Sequence, residues 1–157
     1  MRALFILVLA AAAPLFALGS ESWWGLAPCA LCLWQRWPYW VAAALAALAL
    51  VMPRFAGAVL AVAGLAALTS GVIGGFHWGV ELGFWPSPLP GCQAAVAGGA
   101  MSIDEMMKSL AAIPNKPCDA ATYLIPGLPL SMAAMNMIYG LGLGALSLRF
   151  ARQGARA

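Results

Sequence analysis

The sequence predicts an all-α membrane protein: a four-transmembrane-helix bundle with a short amphipathic helix in its second outer loop. Three observations predict it. Of the 157 residues, 64% are hydrophobic and only 8% charged, against about 45–50% apolar and about 25% charged in an ordinary soluble domain. Four apolar runs each approach the about 17–25 residues a helix needs to cross a bilayer. The basic residues at the ends of these runs fall on one side.

The first run is about residues 3–19, and it follows Arg2. A signal peptide, with a small-x-small site at Ala17-Leu18-Gly19, is the rival reading of this segment. The second run is about 33–52 and the third about 55–78, joined by Pro53-Arg54 as a tight hairpin. The fourth is about 124–150. Two connections, about 20–32 and 79–123, lie on the other side of the membrane; the second is rich in Pro and Gly. The whole, residues 1–157, reads as a single integral-membrane domain.

Arg2, Arg54, Arg149, Arg152 and Arg156 fall at the N-terminus, the second hairpin and the C-terminus. The basic-residue rule puts that side in the cytoplasm. Both termini are therefore expected to be cytoplasmic. Both larger loops, and all four cysteines, are expected to face outward. The five acids, Glu21, Glu81, Asp104, Glu105 and Asp119, segregate to that outer side.

The cysteines are Cys29, Cys32, Cys92 and Cys118. Four cysteines allow three pairings, and disulfides persist on the outer side of a bacterial membrane. A C-x-x-C bridge closes too short a loop to add much stability and is more often a redox device. A bridge from Cys92 to Cys118 would close a longer loop and could be a plain staple. The metal alternative is a four-cysteine zinc site, which usually wants two C-x-x-C pairs. Cys92 and Cys118 are too far apart in sequence for that, so no metal site is expected.

Local electrostatics favour a reactive thiol at the first pair. Pro28 suits a helix start and puts Cys29 and Cys32 in the first turn, where free N–H groups and the helix dipole stabilise a thiolate. Arg36 follows Cys32 by one helical turn, on the same face, and a cation there lowers a thiol pKa. The plain alternative is an interfacial arginine whose head snorkels to water. Pro38 cannot donate to the carbonyl of Trp34, so this helix should be loosened near its mouth.

These residues resemble the DsbB family of membrane disulfide-generating oxidoreductases. "APCALCLWQRW" is similar to its Pro-Cys-x-x-Cys-x-x-x-Arg segment. "FWPSPLPGC", ending at Cys92, is similar to its Pro-Ser-Pro approach to the third cysteine. "GLPLSMAAMNMIYG" resembles its closing segment, and "HWGVE", His77 to Glu81, the end of its third helix. Glu81 stands where that family often has Gln. The resemblance implies a bacterial inner-membrane enzyme with a quinone, ubiquinone or menaquinone, bound near Cys29 and Cys32. It further implies resting bridges Cys29–Cys32 and Cys92–Cys118, and a periplasmic DsbA-like dithiol protein as partner. By the same resemblance Cys92 forms the mixed disulfide with the partner, Cys118 attacks the first bridge, and Cys32, with Arg36 nearby, contacts the quinone. His77 is expected on the quinone side. A strongly oxidising partner needs a still better electron acceptor, and a quinone dissolved in the bilayer supplies it.

Vitamin K epoxide reductase relatives also join C-x-x-C to a quinone, but their motif lies late in the chain, and here it is early. A small structural or metal-binding membrane protein with one stapled loop is the non-enzyme alternative.

Ser102-Ile103-Asp104-Glu105 fits a capping box. Ile103, Met106, Met107, Leu110 and Ile113 recur at helical spacing before Pro114. They predict the amphipathic helix, lying on the membrane surface or packed on the bundle. Trp23, Trp24, Trp34, Trp37, Trp40, Trp78 and Trp85 cluster toward the outer interface as an aromatic belt would. Gly71-x-x-x-Gly75 and Gly140-x-x-x-Gly144 permit close helix contact. No phosphate loop, nucleic-acid patch or hydrolytic triad is visible.

Overall fold

Large aliphatic side chains face outward in this molecule and small ones face inward. Leu4, Val8, Leu65, Val72 and Ile138 are each more than half exposed, whereas Ala10, Ala42, Ala46, Ala63, Ala67 and Ala134 are buried. Water would reverse that arrangement; a lipid solvent favours it, because close packing of small residues is what draws helices together there. The computed structural model describes residues 1–89, 92, 116–125 and 127–154.

Among the described residues the fold has four long helices and no strand beyond an isolated bridge between Tyr123 and Ser131. They are α1 (Arg2–Trp24), α2 (Ala30–Val51), α3 (Ala56–Glu81) and α4 (Met132–Gly154). A single 3-10 turn, Pro53–Phe55, joins α2 to α3. Two stretches, Arg2–Trp24 and Pro53–Glu81, are long and apolar enough to cross a membrane. The expected helix over 103–113 lies outside the described residues.

The helix limits differ from the apolar runs at informative places. Helix α1 continues unbroken through Ala17-Leu18-Gly19 to Trp24, and Gly25 then ends it in the left-handed conformation, φ 64°. Helix α3 runs on past Trp78 to Glu81, which puts His77 and Glu81 on one face, one turn apart. Helix α4 starts at Met132 rather than near 124. Pro129 cannot sit inside a helix without loss of a hydrogen bond. Ser131 then caps the helix, its Oγ accepting the N–H of Ala134 at 3.2 Å.

Contacts between helix ends show consecutive helices running antiparallel. Glu21 near the end of α1 meets Arg36 near the start of α2, and Glu81 at the end of α3 bonds Ser131 before α4. Helices α3 and α4 approach most closely. A Cβ added at Gly140 would lie 2.6 Å from the backbone nitrogen of Gly71, and one at Gly71 would lie 2.8 Å from that of Leu141. Ser147 Oγ donates to the carbonyl of Leu60 at 2.7 Å along the same seam. The exposed tryptophans Trp23, Trp24, Trp34, Trp37 and Trp85 gather at one end of the bundle, the end that holds the cysteines.

Candidate functional site

Cys29 is the N-cap of α2. Its backbone is extended (φ −93°, ψ 169°), and its sulfur accepts the N–H of Cys32 at 3.1 Å. The cap therefore falls on a cysteine where Ser, Thr, Asp or Asn is the usual choice. Cys29 thus stands before the first turn rather than in it, and only Cys32 is helical. Both are free thiols, Cys29 buried and Cys32 partly exposed. The Cys29–Cys32 bridge implied by resemblance is thus open in this structure. A hydrogen bond with the Cys32 sulfur, and then burial, push the Cys29 thiol well above its ordinary range, against the opposing pull of the Cys32 N–H.

The second pair is bonded. Cys92 and Cys118 form a disulfide with Cα atoms 4.7 Å apart, and the Cys118 N–H donates to the Cys92 carbonyl at 3.3 Å. That bond removes both sulfurs from any four-cysteine metal set. Cys29, Leu31, Val80, Cys92 and Cys118 form one buried cluster, with Cys32 packed against it. The helix ends and loops thus bring all four cysteines to one place.

His77 joins the two pairs. Its Nε2 lies 3.2 Å from the carbonyl oxygen of Cys118 and 3.5 Å from Cys29 Sγ, while Nδ1 lies 2.9 Å from Gln35 Nε2. A carbonyl only accepts, so Nε2 carries the proton, Nδ1 accepts, and the Gln35 amide donates. Glu81 Oε1 stands 4.0 Å from the same Nε2. The other oxygen of Glu81 accepts from Ser131.

Arg36 points into the same region but pairs with a residue the sequence had not linked to it. One terminal nitrogen of Arg36 is ion-paired with Glu21 of α1, while Arg36 Nε is buried without a partner. The two side chains are 15% and 26% exposed, so the arginine is tucked between helices and does not snorkel. Deeper in, Tyr39 Oη donates to Asn136 Oδ1 at 2.9 Å, and Asn136 Nδ2 donates to the Ser70 carbonyl at 3.2 Å. Ser70 Oγ closes the network on the Gln35 carbonyl at 2.7 Å.

These groups surround a cavity of about 470 Å³. Cys29, Cys32, Arg36 and His77 line its polar side, with Glu21, Gln35 and Glu81. Pro14, Phe16, Leu26, Leu124, Met132 and Met135 form apolar wall. Its size lies within the about 300–1,000 Å³ of small-molecule sites, which are mostly apolar with a few placed polar groups. Sequence reasoning missed the parts that Glu21, Gln35 and Asn136 play here. Their signal was present, since a polar side chain in a membrane helix usually faces the interior for a purpose.

A dithiol, a nearby disulfide and a lined cavity can exchange disulfides and pass electrons to a bound acceptor. A family profile described as "Disulfide bond formation protein DsbB" matches residues 1–150. Comparison with curated proteins and with solved structures returned no match.

Proposed function

The chain belongs to the DsbB family, a family of disulfide-forming thiol oxidoreductases built as helical membrane proteins, and we propose that it is a thiol:quinone oxidoreductase that reoxidises a periplasmic DsbA-like dithiol protein. All four long helices cross the inner membrane in this reading. Both termini are cytoplasmic, and the cysteine end is periplasmic.

The observation that carries the reading is the meeting of both cysteine pairs in one packed cluster, whose Cys29 and Cys32 line a cavity together with Arg36, an arginine whose Nε is buried without a partner. An orphaned buried donor asks for an acceptor, and a quinone carbonyl is one. The apolar walls suit the ring and the start of its isoprenoid tail. Arg36 would hold a carbonyl oxygen from one side of the cavity, with Cys32 and His77 beside it. The quinone, when bound, supplies a two-electron, two-proton acceptor.

The chain's own residues carry out the exchange. A thiolate of the partner attacks Cys92, and the Cys92–Cys118 bond breaks to leave a mixed disulfide and a free Cys118. The partner's second thiolate resolves the mixed disulfide, leaving Cys92 and freeing oxidised partner. Cys118 then attacks Cys29 of the oxidised first pair, because Cys118 and Cys29 share the buried cluster. Cys32 departs as thiolate one helical turn from Arg36. Attack of Cys92 on Cys118 restores the loop bridge and leaves Cys29 and Cys32 reduced. A bonded Cys92–Cys118 beside two free thiols corresponds to that stage. His77 holds the Cys118 carbonyl and the Cys29 sulfur in register.

The test is oxidation of a reduced DsbA-like protein by membranes containing this chain, with and without added quinone. The reading predicts quinone-dependent oxidation that is lost in Cys92→Ser. Oxidation that proceeds equally without quinone, or in Cys92→Ser, would refute it.

A further inference from the structure

Cys29 Sγ, Cys32 Sγ and a ring nitrogen of His77 all lie within 4.8 Å of one another. We propose that the reduced Cys29–Cys32 pair and His77 form a redox-gated site for a thiophilic divalent ion of the zinc type. The set is two thiolates and one imidazole, with the fourth position open to the cavity. It is separate from the four-cysteine set that the Cys92–Cys118 bond removes, and it does not depend on the quinone reading.

The spacing fits the ion. With Zn–S about 2.3 Å and Zn–N about 2.0–2.1 Å, a tetrahedral centre sets its sulfur and nitrogen about 3.5 Å apart. Cys29 Sγ and His77 Nε2 are 3.5 Å apart without any movement. Three protein ligands and an open place are also the pattern of reactive rather than structural zinc sites. Glu81 Oε1, 4.0 Å from His77 Nε2, is within a small shift of that place. Two cations line the same cavity: Arg36 is paired with Glu21, and Lys116 Nζ donates to Thr122 Oγ1.

The second shell is present too. Binding forms two Zn–S bonds and one Zn–N bond. The protons of the thiols pass to solvent, and the imidazole proton leaves Nε2 while Nδ1 gains one. Gln35, 2.9 Å from Nδ1, accepts that proton's hydrogen bond once its amide turns to present Oε1. A carbonyl behind a ligating histidine is the usual partner. Oxidation of Cys29 and Cys32 to a disulfide removes both sulfur ligands, so the ion binds one redox state only. Bound there, it holds the pair reduced.

The experiment uses the full-length Cys92→Ser/Cys118→Ser protein in detergent, so that only the first pair can change redox state. Reduced and oxidised samples are titrated with Co²⁺ and then Zn²⁺. The reduced protein is expected to take up one cobalt, with a sulfur-to-cobalt charge-transfer band that one equivalent of Zn²⁺ removes. The oxidised protein is expected to show no band. X-ray absorption at the zinc edge is expected to show two sulfurs and one imidazole. Gln35→Leu is expected to weaken zinc by about tenfold, the range for an outer-shell partner, and His77→Ala by more. Should His77→Ala not elute as a folded protein, His77→Gln and the absorption spectrum of the parent decide. Equal binding by both redox states, or a zinc sphere without imidazole, overturns the proposal.

Discussion

Arg36 of α2, which lines the cavity, is ion-paired with Glu21 of α1 through one terminal nitrogen, leaving its Nε buried and unpartnered. The pair answers the arginine's charge while keeping one directed donor free. It also ties α1 to α2 at the cysteine end.

Arg36 should act through charge and geometry. Loss of a hydrogen bond to a charged group costs about 1.5–3 kcal/mol, or roughly 10- to 100-fold in affinity. Arg36→Met is expected to weaken apparent quinone affinity by that much. Arg36→Lys should fall between, because it keeps the charge and loses the planar fork. Turnover at limiting quinone checks the order; parental turnover by Arg36→Met would make the residue an interhelical tie alone.

Glu21→Gln should lower stability more than it lowers quinone affinity. Exposed pairs are worth about 0–1 kcal/mol and breaking buried ones costs about 3–5 kcal/mol. This half-buried pair should couple by about 1–3 kcal/mol in a double-mutant cycle with Arg36→Met. Unfolding of the four proteins in detergent measures it, and simple additivity would deny the pairing.

The two free thiols should differ in reactivity. Cys29 is buried and its thiol is held up by the hydrogen bond to the Cys32 sulfur. The nucleophile is the thiolate, so iodoacetamide near neutral pH should modify Cys32 before Cys29. Peptide mass mapping at partial labelling reads the order, and Cys29 labelled first would contradict it.

Much of this was legible in the sequence because the signals were long or chemically rare. Charge-poor runs of helix length announce the bundle, and Cys29, Cys32, Arg36 and His77 stand out in so apolar a chain. The start of α4 was not legible from hydropathy. Residues 124–130 are mostly apolar, and the run hid Pro129, whose missing N–H group opposes an earlier start. Cys29 as a cap was obscured because Pro28 suggested a first helical position. The Glu21–Arg36 pair and the reach of His77 to both cysteine pairs join residues on different helices, and such contacts leave no mark in local spacing. Gln35 carried a signal, a buried amide beside Arg36, that was overshadowed by the arginine.

The glycine seam gives a sharp contrast. A Cβ at Gly140 would meet the Gly71 backbone at 2.6 Å, while one at Gly142 meets nothing within 4 Å. Overpacking costs typically about 1–3 kcal/mol. Gly140→Ala should lower the unfolding midpoint in detergent and Gly142→Ala should leave it unchanged. Equal behaviour of the two would mean that α3 and α4 do not meet along this line.

The most direct test of the central claim is a single turnover by the Cys92→Ser/Cys118→Ser protein. With Cys29 and Cys32 reduced and no partner present, it is mixed with excess quinone and the loss of quinone absorbance is recorded. One quinone consumed per protein, with a Cys29–Cys32 disulfide as product and no consumption by Cys32→Ser, is the predicted result. Unchanged quinone, or the same consumption by Cys32→Ser, would contradict the account.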